Sequence, residues 1–327
     1  MTAPIISGST KSRQAPTIVK RQPPAGVGPN LRDYGRAWTE FSWDDARHRL
    51  DGLPGGAGLN IAHEAVDRHA VQLHGDRIAI RWIARSGDRR DFTYDSLRRA
   101  TSKFANVLTR LDVGKGDVVA TLAGRIPALY IAALGTVKRG SVYSPLFSAF
   151  GPDPIASRMT IARSRVLVTT DTLYRKKVAP VRSRLPDLKH VLVVRETSAP
   201  LPDGCLDFDA ELATASDLFT IPPTSPQDIA LLHFTSGTTG TPKGAILPHE
   251  SVVMHHETAR VALDLHPGDR YWCTADPGWV TGTAYGIIAP LTHGLIMIVD
   301  EEDFDAERWY GLIERERISV WYTAPTA

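Results

Sequence analysis

Ten consecutive residues carry the densest chemistry in this chain: Thr235-Ser236-Gly237-Thr238-Thr239-Gly240-Thr241-Pro242-Lys243-Gly244. The glycines let the backbone turn sharply and present its N–H groups. The threonine and serine hydroxyls add further donors, and Lys243 adds a positive charge. Donors gathered on a tight turn make a concave nest for a polyphosphate. The spacing is not that of the common phosphate loop, in which lysine follows glycine directly and opens a helix. Here Pro242 precedes Lys243 and Gly244 follows it. A plain surface turn draws on the same residue types; the length and order of the run favour the nest.

Elements on either side must hold such a loop in place. Ile229–Phe234 is an apolar run of strand length directly before it, and a helical pattern begins near Glu250 after it. Upstream, helix and strand signals alternate. Ile61, Ala65, Val66, His69, Ala70 and Leu73 recur at helical spacing, and Ile78–Ile83 reads as a strand followed by a Ser86-Gly87-Asp88 turn. Thr93 is placed to cap a helix whose apolar face is Leu97, Phe104, Leu108 and Leu111. Val118–Leu122 is a strand, and Pro127 starts a helix that runs to Gly140. A helix over 153–164 and the strands Val166–Thr170 and His190–Val194 follow. Near the end come the strand Leu295–Val299, a helix Phe304–Arg317 with Phe304, Trp309, Leu312 and Ile313 inward, and the strand Ile318–Tyr322.

This βαβ alternation predicts an α/β fold with mainly parallel sheets covered by helices. Residues 195–227 are rich in Pro, Asp, Ser and Thr and suggest a connection. The expected organisation is therefore a disordered tail over 1–30, a first α/β subdomain over 31–224, and a second over 225–327 that contains the glycine-threonine loop. The chain stops directly behind a strand, so the second unit is expected to be incomplete.

Composition removes several function classes. With 38 Lys and Arg against 36 Asp and Glu, the chain lacks the basic excess of a nucleic-acid binder. No apolar stretch approaches the roughly 20 residues that cross a bilayer. The two cysteines, Cys205 and Cys273, lie far apart, form no C-x-x-C, and fit structural roles in a reducing, cytoplasmic setting. The tail lacks acidic residues in the manner of a transit peptide, but its prolines would break an amphipathic helix.

Other clusters are more ambiguous. His255 and His256 are neighbours and cannot both face one metal from one side of a helix, so packing or surface roles suit them better. Trp279 and Val280 read as core by residue type alone. Arg175, Lys176 and Lys177 form a basic run that equally suits a solvated face.

The loop resembles the phosphate-loop motif of the adenylate-forming superfamily. A second segment, Tyr271-Trp272-Cys273-Thr274-Ala275-Asp276-Pro277-Gly278-Trp279-Val280-Thr281-Gly282-Thr283, is similar to one found in AMP-forming acetyl-CoA synthetases. Asn30–Tyr34, Phe41–Trp43, Pro145–Phe150 and Val320–Thr326 also resemble that family. The resemblance covers nearly the whole chain but only the first half to two thirds of a family member.

The resemblance implies a two-step ligase. A carboxylate attacks the α-phosphate of ATP, giving acyl-AMP and pyrophosphate; the thiol of coenzyme A (CoA) then displaces AMP. Lys243 and Thr238 would be the catalytic groups. Thr235, Ser236, Gly237, Thr238, Thr239, Gly240, Lys243 and Gly244 would hold the ATP phosphates. Trp279, Val280 and Thr281 would line the pocket for a small carboxylic acid, and Phe147, Ala149 and Arg175 would meet CoA. The family also uses Mg2+, an adenine-binding segment and a mobile C-terminal domain, all of whose residues would follow residue 327. The isolated chain is thus expected to be inactive without a separately encoded C-terminal half. A non-catalytic ATP- or CoA-binding remnant, or a ligase for another acid, are the alternatives.

Overall fold

Apolar runs become buried strands wherever amphipathic helices flank them, and this rule builds most of the molecule. The computed structural model describes residues 28–72, 75–235 and 240–324. Its strands, in chain order, are β1 (Ile78–Ile83), β2 (Arg89–Thr93), β3 (Val118–Leu122), β4 (Val142–Pro145), β5 (Val166–Thr170) and β6 (His190–Val194). They continue with β7 (Leu206–Asp207), β8 (Ile229–Thr235), β9 (Lys243–Pro248), β10 (Arg270–Cys273), β11 (Ile296–Asp300) and β12 (Val320–Tyr322).

Two sheets result. One has the order β7-β6-β5-β3-β4-β8-β9 and is parallel apart from the β8–β9 pair. The other has the order β12-β10-β11-β1-β2 and is parallel apart from β1–β2. β5 and the end of β3 are buried on both faces, as parallel strands sandwiched by helices must be. The expected α/β layering is present.

Sheet membership cuts across the 224/225 division read from composition. β8 and β9, which follow that point, complete the sheet begun by β3–β6. β1, from the N-terminal part, carries β2 at the sheet edge and itself pairs with β11 more than two hundred residues later; Ile80 lies opposite Met297. The expected disordered tail, 1–30, lies outside the described residues up to 27. Asn30 itself is tied down: its N–H donates to Asp264 Oδ1 at 2.7 Å and its side-chain amide to the Leu265 carbonyl at 3.0 Å.

The helices start and stop where their chemistry dictates. Thr93 Oγ1 accepts from the Ser96 N–H at 3.1 Å and opens the helix Tyr94–Arg110, whose Leu97, Phe104 and Leu108 are fully buried. Each such side chain contributes about 1.5–3 kcal/mol by leaving water. Pro127 starts the helix Pro127–Arg139, which ends at Gly140 in the left-handed region, φ 82°. Asp305 caps Ala306–Glu316 through the Arg308 N–H. Phe304, expected inward, is 57% exposed and only edges against Trp309. It precedes the cap, so it never joins the inward stripe of the helix.

Candidate functional site

The two ends of the glycine-threonine run belong to an antiparallel strand pair. β8 is anchored by buried Ala230, Leu231 and His233, and β9 returns beside it with Phe234 opposite Gly244 and Thr235 opposite Lys243. Lys243 therefore stands at the mouth of the loop facing Thr235, with both residues exposed. Gly240 takes φ 82° near the turn, a backbone state that residues with a Cβ avoid. Ser236, Gly237, Thr238 and Thr239 lie outside the described residues. β9 was not foreseen: a helix was expected soon after the loop, but a short edge strand intervenes.

The other predicted segments leave the same edge of the molecule. β4 runs parallel to β8, with Tyr143 opposite Leu231, so the loop after Pro145 emerges one strand away from the glycine-threonine loop. Ligands of open α/β sheets bind at such carboxyl ends. The turn after β10, Asp276–Trp279, packs directly on the loop after β4. The Phe147 ring lies 5.1 Å from Trp279, tilted by 40°, and Phe150 sits edge-on to both. The turn reaches this close only because residue 278 is glycine; a Cβ there would lie 2.5 Å from Phe147 Cα.

Arg125 fastens the two sheets beside this contact. Its guanidinium donates to the Thr274 carbonyl at 2.8 Å, and its own carbonyl accepts from Trp82 Nε1 at 2.9 Å. Asp276 accepts the Gly278 N–H at 2.7 Å and reaches the Ser148 hydroxyl at 3.4 Å. Burial raises the Asp276 pKa above the usual carboxylate value, opposed by the Gly278 N–H, Arg125 and Ser148.

Trp279 and Val280 are 46% and 43% exposed, so the core role suggested by residue type does not hold. Val280 and Thr281 open the short helix Val280–Thr283. Of the basic run, Arg175 turns away and donates to the Pro200 carbonyl, whereas Lys177 donates to the Ser148 carbonyl on the Phe147–Phe150 loop. Burial, with Lys176 alongside, lowers the Lys177 pKa. Arg158 adds a guanidinium 4.2 Å over the Phe150 ring. Arg158 escaped the sequence reading, and Lys177 and Asp276 entered it only as members of their runs, because only spatial contact with the loop after β4 singles them out.

A cavity of about 1210 Å³ lies at the opposite edge, where Lys138 ends its helix before β4. Its buried cations are already committed: Lys138 to Asp67 at 2.6 Å, and Arg68 to Glu64 and Asp51. Among the described residues no group of three His, Cys, Asp or Glu is arranged to hold a metal, and no helix is long and apolar enough to cross a membrane.

The profile of a family described as "AMP-binding enzyme" matches residues 67–327. The chain belongs to that family. Among the relatives of this AMP-binding enzyme chain, an acetyl-coenzyme A synthetase of Bacillus subtilis (strain 168) is 38% identical over 299 residues, covering 91% of this chain and 51% of that protein. The acetyl-coenzyme A synthetase of Methanothrix thermoacetophila is 37% identical, covering 83% and 44%. The solved structure of a Brucella canis acyl-CoA synthetase superposes with a TM-score of 0.81 at 31% identity, over 90% of this chain and 52% of that one. The chain thus spans about half the length of the relatives it matches.

Proposed function

We propose that this chain is the N-terminal portion of an AMP-forming ligase that joins a short carboxylic acid, acetate or a close homologue, to CoA at the expense of ATP. The observation that carries this is the packing of the turn after β10 on the loop after β4, one strand away from the β8–β9 hairpin. The hairpin has the composition of a polyphosphate nest, the turn carries the exposed Trp279–Thr281 segment, and the loop after β4 carries Phe147, Ala149 and Phe150.

In this scheme the β8–β9 hairpin loop wraps the β- and γ-phosphates. The Lys243 ammonium and the hydroxyls of Thr235, Ser236, Thr238 and Thr239 offset charge as the substrate carboxylate attacks the α-phosphorus. No protein nucleophile is needed, since the substrate supplies one. Catalysis then consists of positioning and charge stabilisation. Trp279 and Val280 bound a small space for the acid, and Thr281 lies towards the reacting carboxyl. Phe147 and Ala149 receive CoA in the second step, with Lys177 better placed than Arg175 to supply positive charge there. The described residues offer no carboxylate set for Mg2+, so no step is assigned to a metal held by this chain; Mg2+ arrives with the nucleotide. Two free, buried cysteines suit a reducing cytoplasm.

Acid-dependent exchange of pyrophosphate into ATP by the whole protein tests this. Exchange with acetate or propionate is expected; exchange only with long or aromatic acids, or none at all, contradicts it. The 327-residue chain alone, lacking about half the length of its relatives, is expected to form no thioester until a polypeptide supplying the other half is added. Acetyl-CoA formation by the chain alone contradicts that part.

A further inference from the structure

Asp276 is a carboxylate placed between the Trp279 turn and the Phe147–Phe150 loop, and its surroundings are unusual for a charge. Among the described residues it has no ion-pair partner within 4.0 Å. Its charge is met by one backbone N–H, from Gly278 at 2.7 Å, by the Ser148 hydroxyl at 3.4 Å, and by the Arg125 guanidinium from beyond ion-pair distance. A half-buried carboxylate held by so few donors loses more hydration than a solvated one, without the return of a salt bridge. Its oxygens are spent on geometry.

The geometry is specific. Asp276 Oδ1 fixes the Pro277-Gly278 turn, and the Asp276 carbonyl accepts the Trp279 N–H at 3.0 Å. The same carbonyl lies 2.0 Å from where a Cβ on Gly282 would stand, so the helix start at Val280 is pressed against it. Asp276 Oδ2 reaches across to Ser148, whose carbonyl in turn receives Lys177. One side chain thus touches the turn bearing Trp279 and the loop bearing Phe147 and Phe150.

We propose that Asp276 is a positioning residue that locks the Trp279 turn to the Phe147–Phe150 loop, so that the acid side and the thiol side of the site hold one relative placement. The importance of that placement for the reaction rests on the function proposed above; the lock itself does not. Transfer of an acyl group to a thiol requires both reactants in near-attack geometry, and an error of an ångström is costly.

The test needs no ligand, so its outcome is independent of whether the ligase assignment stands. Trp279 emission is isolated as the difference between the chain and its W279F variant, with each further substitution made in both backgrounds. Asp276→Ala is expected to red-shift this emission and increase its quenching by acrylamide. Asp276→Asn keeps an oxygen for the Gly278 N–H and is expected to restore most of the parent signal. Ser148→Ala is expected to give a smaller shift in the same direction. Melting curves run alongside, and if Asp276→Ala does not fold, the Asn and Ser148→Ala variants carry the comparison. Unchanged Trp279 quenching in folded Asp276→Ala, or in Ser148→Ala when the first does not fold, overturns the proposal. An Asp276→Asn variant as perturbed as Asp276→Ala also overturns it.

Discussion

His256 and His293 stack ring on ring, their centroids 4.0 Å apart and their planes within 9° of parallel. The pair joins the helix Ser251–Ala262 to the turn that follows Thr292. His256 Nδ1 lies 3.0 Å from Thr292 Oγ1, and His293 Nε2 lies 3.0 Å from the His256 carbonyl. His69 completes the group through the Thr292 carbonyl at 3.1 Å. Burial, followed by the neighbouring cations, pushes the pKa of His256 down to about 2 and those of His69 and His293 to about 3 and about 4. For His69 and His293, hydrogen bonding to backbone carbonyls partly opposes this.

Acid should therefore unfold the chain earlier than its carboxylates alone would dictate. A histidine with a depressed folded-state pKa leaves stability intact above about 6.5. As pH falls below that value the unfolded chain takes up protons that the folded one refuses. Each such histidine then costs about 1.4 kcal/mol per pH unit until its folded pKa is reached. Melting temperature should fall steeply between pH 6.5 and about 4. A His256→Gln, His293→Gln double variant should show a shallower fall over the same window. An identical slope in the two proteins would remove the pair from this account.

Gly278 should tolerate no side chain. A Cβ at this position would stand 2.5 Å from Phe147 Cα and 2.7 Å from its N, both backbone atoms. Overpacking of this kind typically costs about 1–3 kcal/mol. Gly278→Ala should lower the thermal midpoint and expose Trp279 more fully. A Gly278→Ala protein with parental stability and parental tryptophan emission would mean that the two loops are free to separate.

The Lys138–Asp67 pair should be far more sensitive to one partner's loss than to the other's. The Lys138 side chain is 1% exposed, and its ammonium contacts Asp67 at 2.6 Å and Ser102 Oγ at 3.3 Å. Burial lowers its pKa, opposed by Asp67. Asp67→Ala strands a buried ammonium and should cost about 3–5 kcal/mol, whereas Lys138→Met should be much milder. Urea titrations that give equal losses for both substitutions would contradict this.

Much of the architecture could be read from residue order because it is local. Thr93, Pro127 and Gly140 punctuate helices through contacts within a few residues, and apolar runs such as Val166–Thr170 mark buried strands. The segments proposed for the phosphates and the acid stand out in the sequence as well, being contiguous. Features made by distant residues were hidden. β2 is written Arg-Arg-Asp-Phe-Thr, too charged to suggest a strand until its hairpin with β1 and the pairing of β1 with β11 are known. β9 is an exposed edge with no alternation. Arg175 and Lys177 are indistinguishable in sequence; only the fold turns one to Pro200 and the other to Ser148.

In the proposed function Lys243 bears most of the chemical weight. It is exposed and fixed opposite Thr235, so its removal should spare the fold. Pyrophosphate exchange into ATP by the whole protein, with acetate present and compared between the parent and Lys243→Ala at equal melting temperature, addresses it directly. A loss of about 10²–10³ in rate is expected, about 2.7–4 kcal/mol of transition-state stabilisation. Equal exchange rates in the two proteins would contradict the placement of the nucleotide phosphates on this hairpin.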